Sequence, residues 1–136
     1  MATTTTMIRL LHSIRGHLTT HRLPAEIASI KVDTDMINGD HVVVHLWAVQ
    51  LPALAAALLD WADTLTAISA TAWRPPGGHS VHLSITGRLA DETAVEVYGG
   101  VDYTDELFGD LQPGGRQSVA LPILRSWAAN GSAVAA

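Results

Sequence analysis

From residue 51 the apolar side chains recur every third or fourth position, and from residue 81 they recur every second. Leu51, Leu54, Leu58, Trp61 and Leu65 make one stripe, thickened by Ala55 and Ala62. That is the spacing of a single helix face. Val81, Leu83, Ile85 and Leu89 alternate with His82, Ser84, Thr86 and Arg88, the spacing of a half-buried strand. A one-striped helix and a one-faced strand each need cover. The chain is thereby confined to folds that layer helices on a sheet.

The remaining segments extend this pattern. Met7, Leu10, Leu11, Ile14 and Leu18 share a helix face, which predicts a helix over 6–20 with Thr5 or Thr6 as its cap. Ala28, Ile30 and Val32 alternate as in a strand. Asn38-Gly39 then signals a hairpin turn into the β-branched run His41–Trp47. Pro52 suits the first turn of the helix over 50–66. Strands are expected at Ile68–Trp73, from Val81 to Leu89 and from Val95 to Tyr98, with Gly99-Gly100 ending or bulging the last. One helical turn fits Thr104–Phe108. A last helix fits Val119–Ala129, with Leu121, Leu124 and Trp127 inward and Asn130-Gly131 as its stop. The predicted class is α+β, in the order α-β-β-α-β-β-β-α. About five mostly antiparallel strands pack against helices on one sheet face. Residues 1–136 form one domain, with 1–5 and 132–136 expected to fray.

Composition removes several functions. No cysteine is present, which excludes disulfides, thiol catalysis and Cys-ligated metal. No apolar run approaches ~18 residues, so no membrane span is expected. The net charge is −5, and all of it falls in residues 51–136. Seven scattered arginines and the single Lys31 give little to neutralise phosphates. The exception is the acid-free segment Met1–Ala25, with Arg9, Arg15 and Arg22. Its amphipathic, Ser/Thr-containing pattern also has the features of a transit peptide, but its periodicity is that of a first helix.

The segments LPALAAALLDWADTL, AWRPPGGHSVHLSITGRL and VEVYGGV resemble small actinobacterial orphan proteins, some carried on mobile elements or phages. The resemblance spans about residues 50–130. It implies a bacterial chain without a transit peptide, and no activity.

Seven histidines are the first candidates for chemistry. His17 and His21 share a helix face, but no third ligand is near in sequence, so they are read as solvated histidines at a helix end. His41 and His45 lie on one strand face, about 13 Å apart, too far to share a metal, and are read as surface strand histidines. His79 and His82 point to opposite faces. No nucleophile elbow, GxGxxG or P-loop is present, so no cofactor is expected, and no metal. Asp102, Asp105, Glu106 and Asp110 lack EF-hand spacing and read as a capping loop.

The loop Trp73-Arg74-Pro75-Pro76-Gly77-Gly78-His79 is the best candidate for a contact. Two prolines stiffen it, and Trp and Arg are enriched at binding hot spots. An antiparallel return of the strand ending near Tyr98 would gather Trp73, Arg74, His79, Tyr98 and Tyr103 at one end of the sheet. There Arg74 would face Asp102 or Asp105. The expected function is a small, cytoplasmic, non-enzymatic module that binds another protein or itself. A homodimer is expected because Val42-Val43-Val44 puts apolar surface on both faces of one strand. The alternatives are a His-dependent metal hydrolase and a nucleic-acid-associated regulator using the basic first helix.

Overall fold

The computed structural model describes residues 3–37, 39–48 and 50–135, with 131–135 described by backbone alone. Asn38 of the predicted turn and the ends at 1–2 and 136 lie outside the described residues. Helix α1 spans Thr4–Thr20, strand β1 Ile27–Asp35, strand β2 Gly39–Leu46 and helix α2 Leu51–Ala62. Strands β3 (Thr66–Trp73), β4 (Ser80–Arg88) and β5 (Ala94–Asp102) follow, then α3 (Asp105–Phe108), β6 (Arg116–Ser118) and α4 (Leu121–Ala135). The class is α+β as expected, with six strands where about five were predicted.

The strand order is β1-β2-β5-β4-β3-β6. All neighbours are antiparallel except β2 and β5, which run parallel. That one parallel pair follows from α2. The helix carries the chain from β2 across the sheet, and the β3-β4-β5 meander walks back until β5 meets β2. Val42, Val44, Val95, Val97, Leu83 and Ile85 point to the side where Leu54, Leu58 and Trp61 of α2 are buried. Helix α1 packs against β1 and β2, and α2 lies beside α4. The long helices therefore lie on one side of the sheet, and among the described residues no helix lies on the other face. No helix among the described residues is long and apolar enough to cross a membrane.

Several boundaries differ from the sequence expectation. The cap of α1 is Thr3, whose hydroxyl accepts the Thr6 N–H at 3.1 Å. Gly99-Gly100 neither ends nor bulges β5. A Cβ at Gly99 would sit 2.5 Å from Leu54 Cδ1, and one at Gly100 would sit 3.6 Å from His82 Cδ2. Gly99 makes room for α2 on one face, whereas a Cβ at Gly100 would only touch His82 on the other, and both lie inside a continuous strand. Helix α4 passes through Asn130-Gly131 to Ala135. An interior glycine costs a helix about 1 kcal/mol, which the preceding turns outweigh. Strand β6 forms because Gly114 and Gly115 turn the chain back along β3. There the Gly114 N–H donates to the Arg74 carbonyl at 2.6 Å, and the Arg74 N–H donates to that of Gly115 at 2.9 Å.

Candidate functional site

The helix-free face carries a row of rings. In β2, β5, β4 and β3 the residues that alternate with the core point outward. Cross-strand register then brings His45 opposite Tyr98, and His82 opposite Trp73. His45 and Tyr98 stack face to face, with centroids 4.6 Å apart and planes within 4°. His82 is tilted against Tyr98 at 5.5 Å and meets Trp73 edge-on at 5.2 Å. The Arg116 guanidinium of β6 ends the row, 5.9 Å from the Trp73 ring. One line of contacts thus crosses five strands of the sheet. Each ring in the row touches the next, from β2 to β3.

Beside the row lies a hollow of about 300 Å³, lined by Trp73, His82, Ser84, Glu96, Tyr98 and Arg116. Its lining residues carry three rings, two hydroxyls, one carboxylate and one guanidinium. Burial lowers the His82 pKa below 6.5, and the neighbouring His45 lowers it further, against the opposing pull of Glu96. His82 is therefore a neutral ring at neutral pH, able to donate from one nitrogen and accept at the other.

The five residues expected in one patch divide into two groups. Trp73 and Tyr98 belong to the row, bridged by His82. Arg74 and Tyr103 lie at the end of the sheet and hold each other. The Arg74 guanidinium sits 3.5 Å from the Tyr103 ring centroid. It donates to the Gly78 carbonyl at 3.0 Å and to that of Leu111 at 2.7 Å. Its expected pairing with Asp102 or Asp105 is not formed, and the guanidinium is held instead by those two carbonyls and the ring. The Tyr103 hydroxyl lies 2.9 Å from Asp105 Oδ1 and 2.6 Å from the Gly109 carbonyl. Its bond to Asp105 raises the hydroxyl pKa above the usual 10.0. This cluster ties the Pro-Pro-Gly-Gly turn to the 103–115 loop. His79 is exposed, and its backbone carbonyl accepts the Tyr103 N–H at 3.0 Å.

Two histidine expectations change. His17 is not solvated but 6 % exposed. Its ring stacks on Trp61 at 5.5 Å, and Nε2 lies 2.9 Å from Thr64 Oγ1. That hydroxyl already donates to the Trp61 carbonyl at 2.7 Å, so His17 Nε2–H is the donor. His41 is also buried, with its Nδ1–H donating to the Gly39 carbonyl at 2.8 Å. No group of three or more ligating side chains placed to hold a metal occurs among the described residues.

Sequence reasoning missed His45, His82, Glu96 and Arg116 as neighbours of Trp73 and Tyr98. Alternation placed His82 and Glu96 on the polar side of their strands, whereas His45 lay in a continuous β-branched run and Arg116 in no expected strand. It could not supply the register that aligns strands far apart in the chain. Comparison with protein-family models, curated proteins and solved structures finds no match to this chain.

Proposed function

We propose that this chain is a non-enzymatic binding module that holds a protein partner on its helix-free face. The observation that carries the reading is the row His45–Tyr98–His82–Trp73, four half-buried, interlocked rings with the exposed Arg116 at its end. Tyr, Trp and Arg are the side chains that dominate protein interfaces, and Tyr and Trp bury large area with only two torsions to freeze. The hollow, about 300 Å³, has room for a protruding side chain of a partner. Glu96 within it and the net charge of −5 disfavour a phosphate backbone.

The test uses wild-type protein and the Trp73→Ala, Tyr98→Ala double variant as baits in lysate of the native host, read by mass spectrometry. At least one protein should be retained by the wild type and reduced about tenfold or more by the variant, a loss of about 1.4 kcal/mol. Equal recovery of every retained protein by both baits would overturn the reading.

A further inference from the structure

Strand β1 ends the sheet. Eight of its nine residues pair with β2 on one side, with a register shift between Ile27 and Ser29, and no described strand pairs with the other. A long edge strand exposes a row of backbone donors and acceptors, and proteins usually shorten, bend or cover such an edge. Here it carries apolar side chains as well. Ile30 is 38 % exposed on the helix side, beside the half-buried Val32. On the helix-free side Lys31 and Asp33 follow one another, with Nζ 3.2 Å from Oδ2.

We propose that β1 pairs antiparallel with β1 of a second copy, about a two-fold axis at Val32, joining two six-stranded sheets into one. Charge selects this register. With Val32 on the axis, Lys31 faces the Asp33 of the second copy, and Asp33 faces its Lys31. Directly opposed side chains in an antiparallel pair have Cβ atoms roughly 4.5–5.5 Å apart, within ion-pair reach. An axis at Lys31 would oppose two ammonium groups, and an axis at Asp33 would oppose two carboxylates. An axis at Val32 also keeps the helices of both copies on one side of the joined sheet.

Helix α1 extends the same surface. Its Ser13 flank is turned toward the β4–β5 turn, where the hydroxyl donates to Asp91 Oδ2 at 2.7 Å. At about 100° per residue Leu11 lies on the opposite flank, toward the open edge of β1. Leu11 and its neighbour Ile8 are half exposed there. Edge pairing therefore brings backbone groups, two crossed ion pairs and an apolar strip together. It does not depend on the aromatic row, which stays open in this dimer.

The experiment is a charge swap read by light scattering and native mass spectrometry at micromolar concentrations. Wild type should be a dimer, and the Trp73→Ala, Tyr98→Ala variant should remain one. Lys31→Asp puts four carboxylates at the junction and Asp33→Lys puts four ammonium groups there, so each alone should be monomeric. Mixed in equal amounts they should form a dimer with one copy of each, because every opposed pair is then of opposite sign. A monomeric wild type overturns the proposal. So does dimerisation of the single variants equal to wild type, or a mixture that stays monomeric.

Discussion

Leu54 reaches the sheet only because residue 99 has no side chain. A Cβ there would stand 2.5 Å from Leu54 Cδ1, and Leu54 is fully buried. Gly99→Ala should therefore cost about 1–3 kcal/mol, the usual penalty for overpacking a filled core. Urea denaturation would show it as a lower midpoint, and an unchanged midpoint would mean that α2 lifts freely. Arg74 works in the opposite sense, by filling gaps between loops. Its two carbonyl bonds and its contact with Tyr103 join the 75–79 turn to the 103–115 loop. Arg74→Ala strands the part-buried acceptors of Gly78 and Leu111, which should lower stability by about 1–3 kcal/mol. A loss below about 0.5 kcal/mol, the range of ordinary surface changes, would mean that water replaces the guanidinium there. His17 is the third such residue, and its ring is the polar link between α1 and α2.

At the level of elements, helix α2 was the most legible part of the chain and is the most important to the core. Its stripe predicted burial, and Leu54, Leu58 and Trp61 are buried at the centre of the fold. Leu58→Ala should open a cavity beneath it and cost on the order of 2–5 kcal/mol. A denaturation shift under about 1 kcal/mol, that of a minor core change, would contradict this packing. Strands β4 and β5 were legible for the same reason, a clean period of two. What escaped is what periodicity does not encode. Strand β6 has three exposed residues, too few to show a period, and it exists only because the turn at 113–115 returns the chain to β3. Gly99-Gly100 looked like a stop, since a glycine pair carries no sign of the side chains that will press on it. The row of rings was half legible. Tyr98 and Trp73 stood out by residue type, whereas His45, His82 and Arg116 join them only through pairings between β2, β5, β4, β3 and β6. Of the site, the residue types at one end of the sheet could be read. The division between a binding row and the Arg74–Tyr103 clamp could not, because it depends on which face each side chain takes after the turn.

For the whole molecule, acid should act in two separate windows. His17 has its pKa lowered below 6.5, first by burial and then by the adjacent His21, with Asp91 pulling the other way. His82 is lowered as well, by burial and then by His45. A histidine with a lowered folded pKa binds protons more readily in the unfolded chain. Its contribution is fully present above pH 6.5 and is lost as pH falls through the lower folded value. The carboxylates behave alike at lower pH. Burial of Asp91 works to raise its pKa, but hydrogen bonds from Ser13 and Thr93 prevail and hold it below 3.8. Asp33 is held below 3.8 by the Thr34 N–H and by Lys31. Their stabilisation is complete above pH 3.8 and disappears as pH falls through their lower folded values. The thermal midpoint should thus be flat from pH 8 to about 6.5, decline below it, and decline again below about 3.8. The first decline should centre on the seam between α1 and α2, where the protonated His17 would bring its charge against Trp61 and His21. His17→Gln keeps a donor toward Thr64 and removes the titrating ring. It should lower the midpoint at pH 7.5, where the stack on Trp61 is lost, and flatten the slope between pH 6.5 and 5. If the variant and the wild type keep the same slope across that window, His17 is not the group that senses the acid.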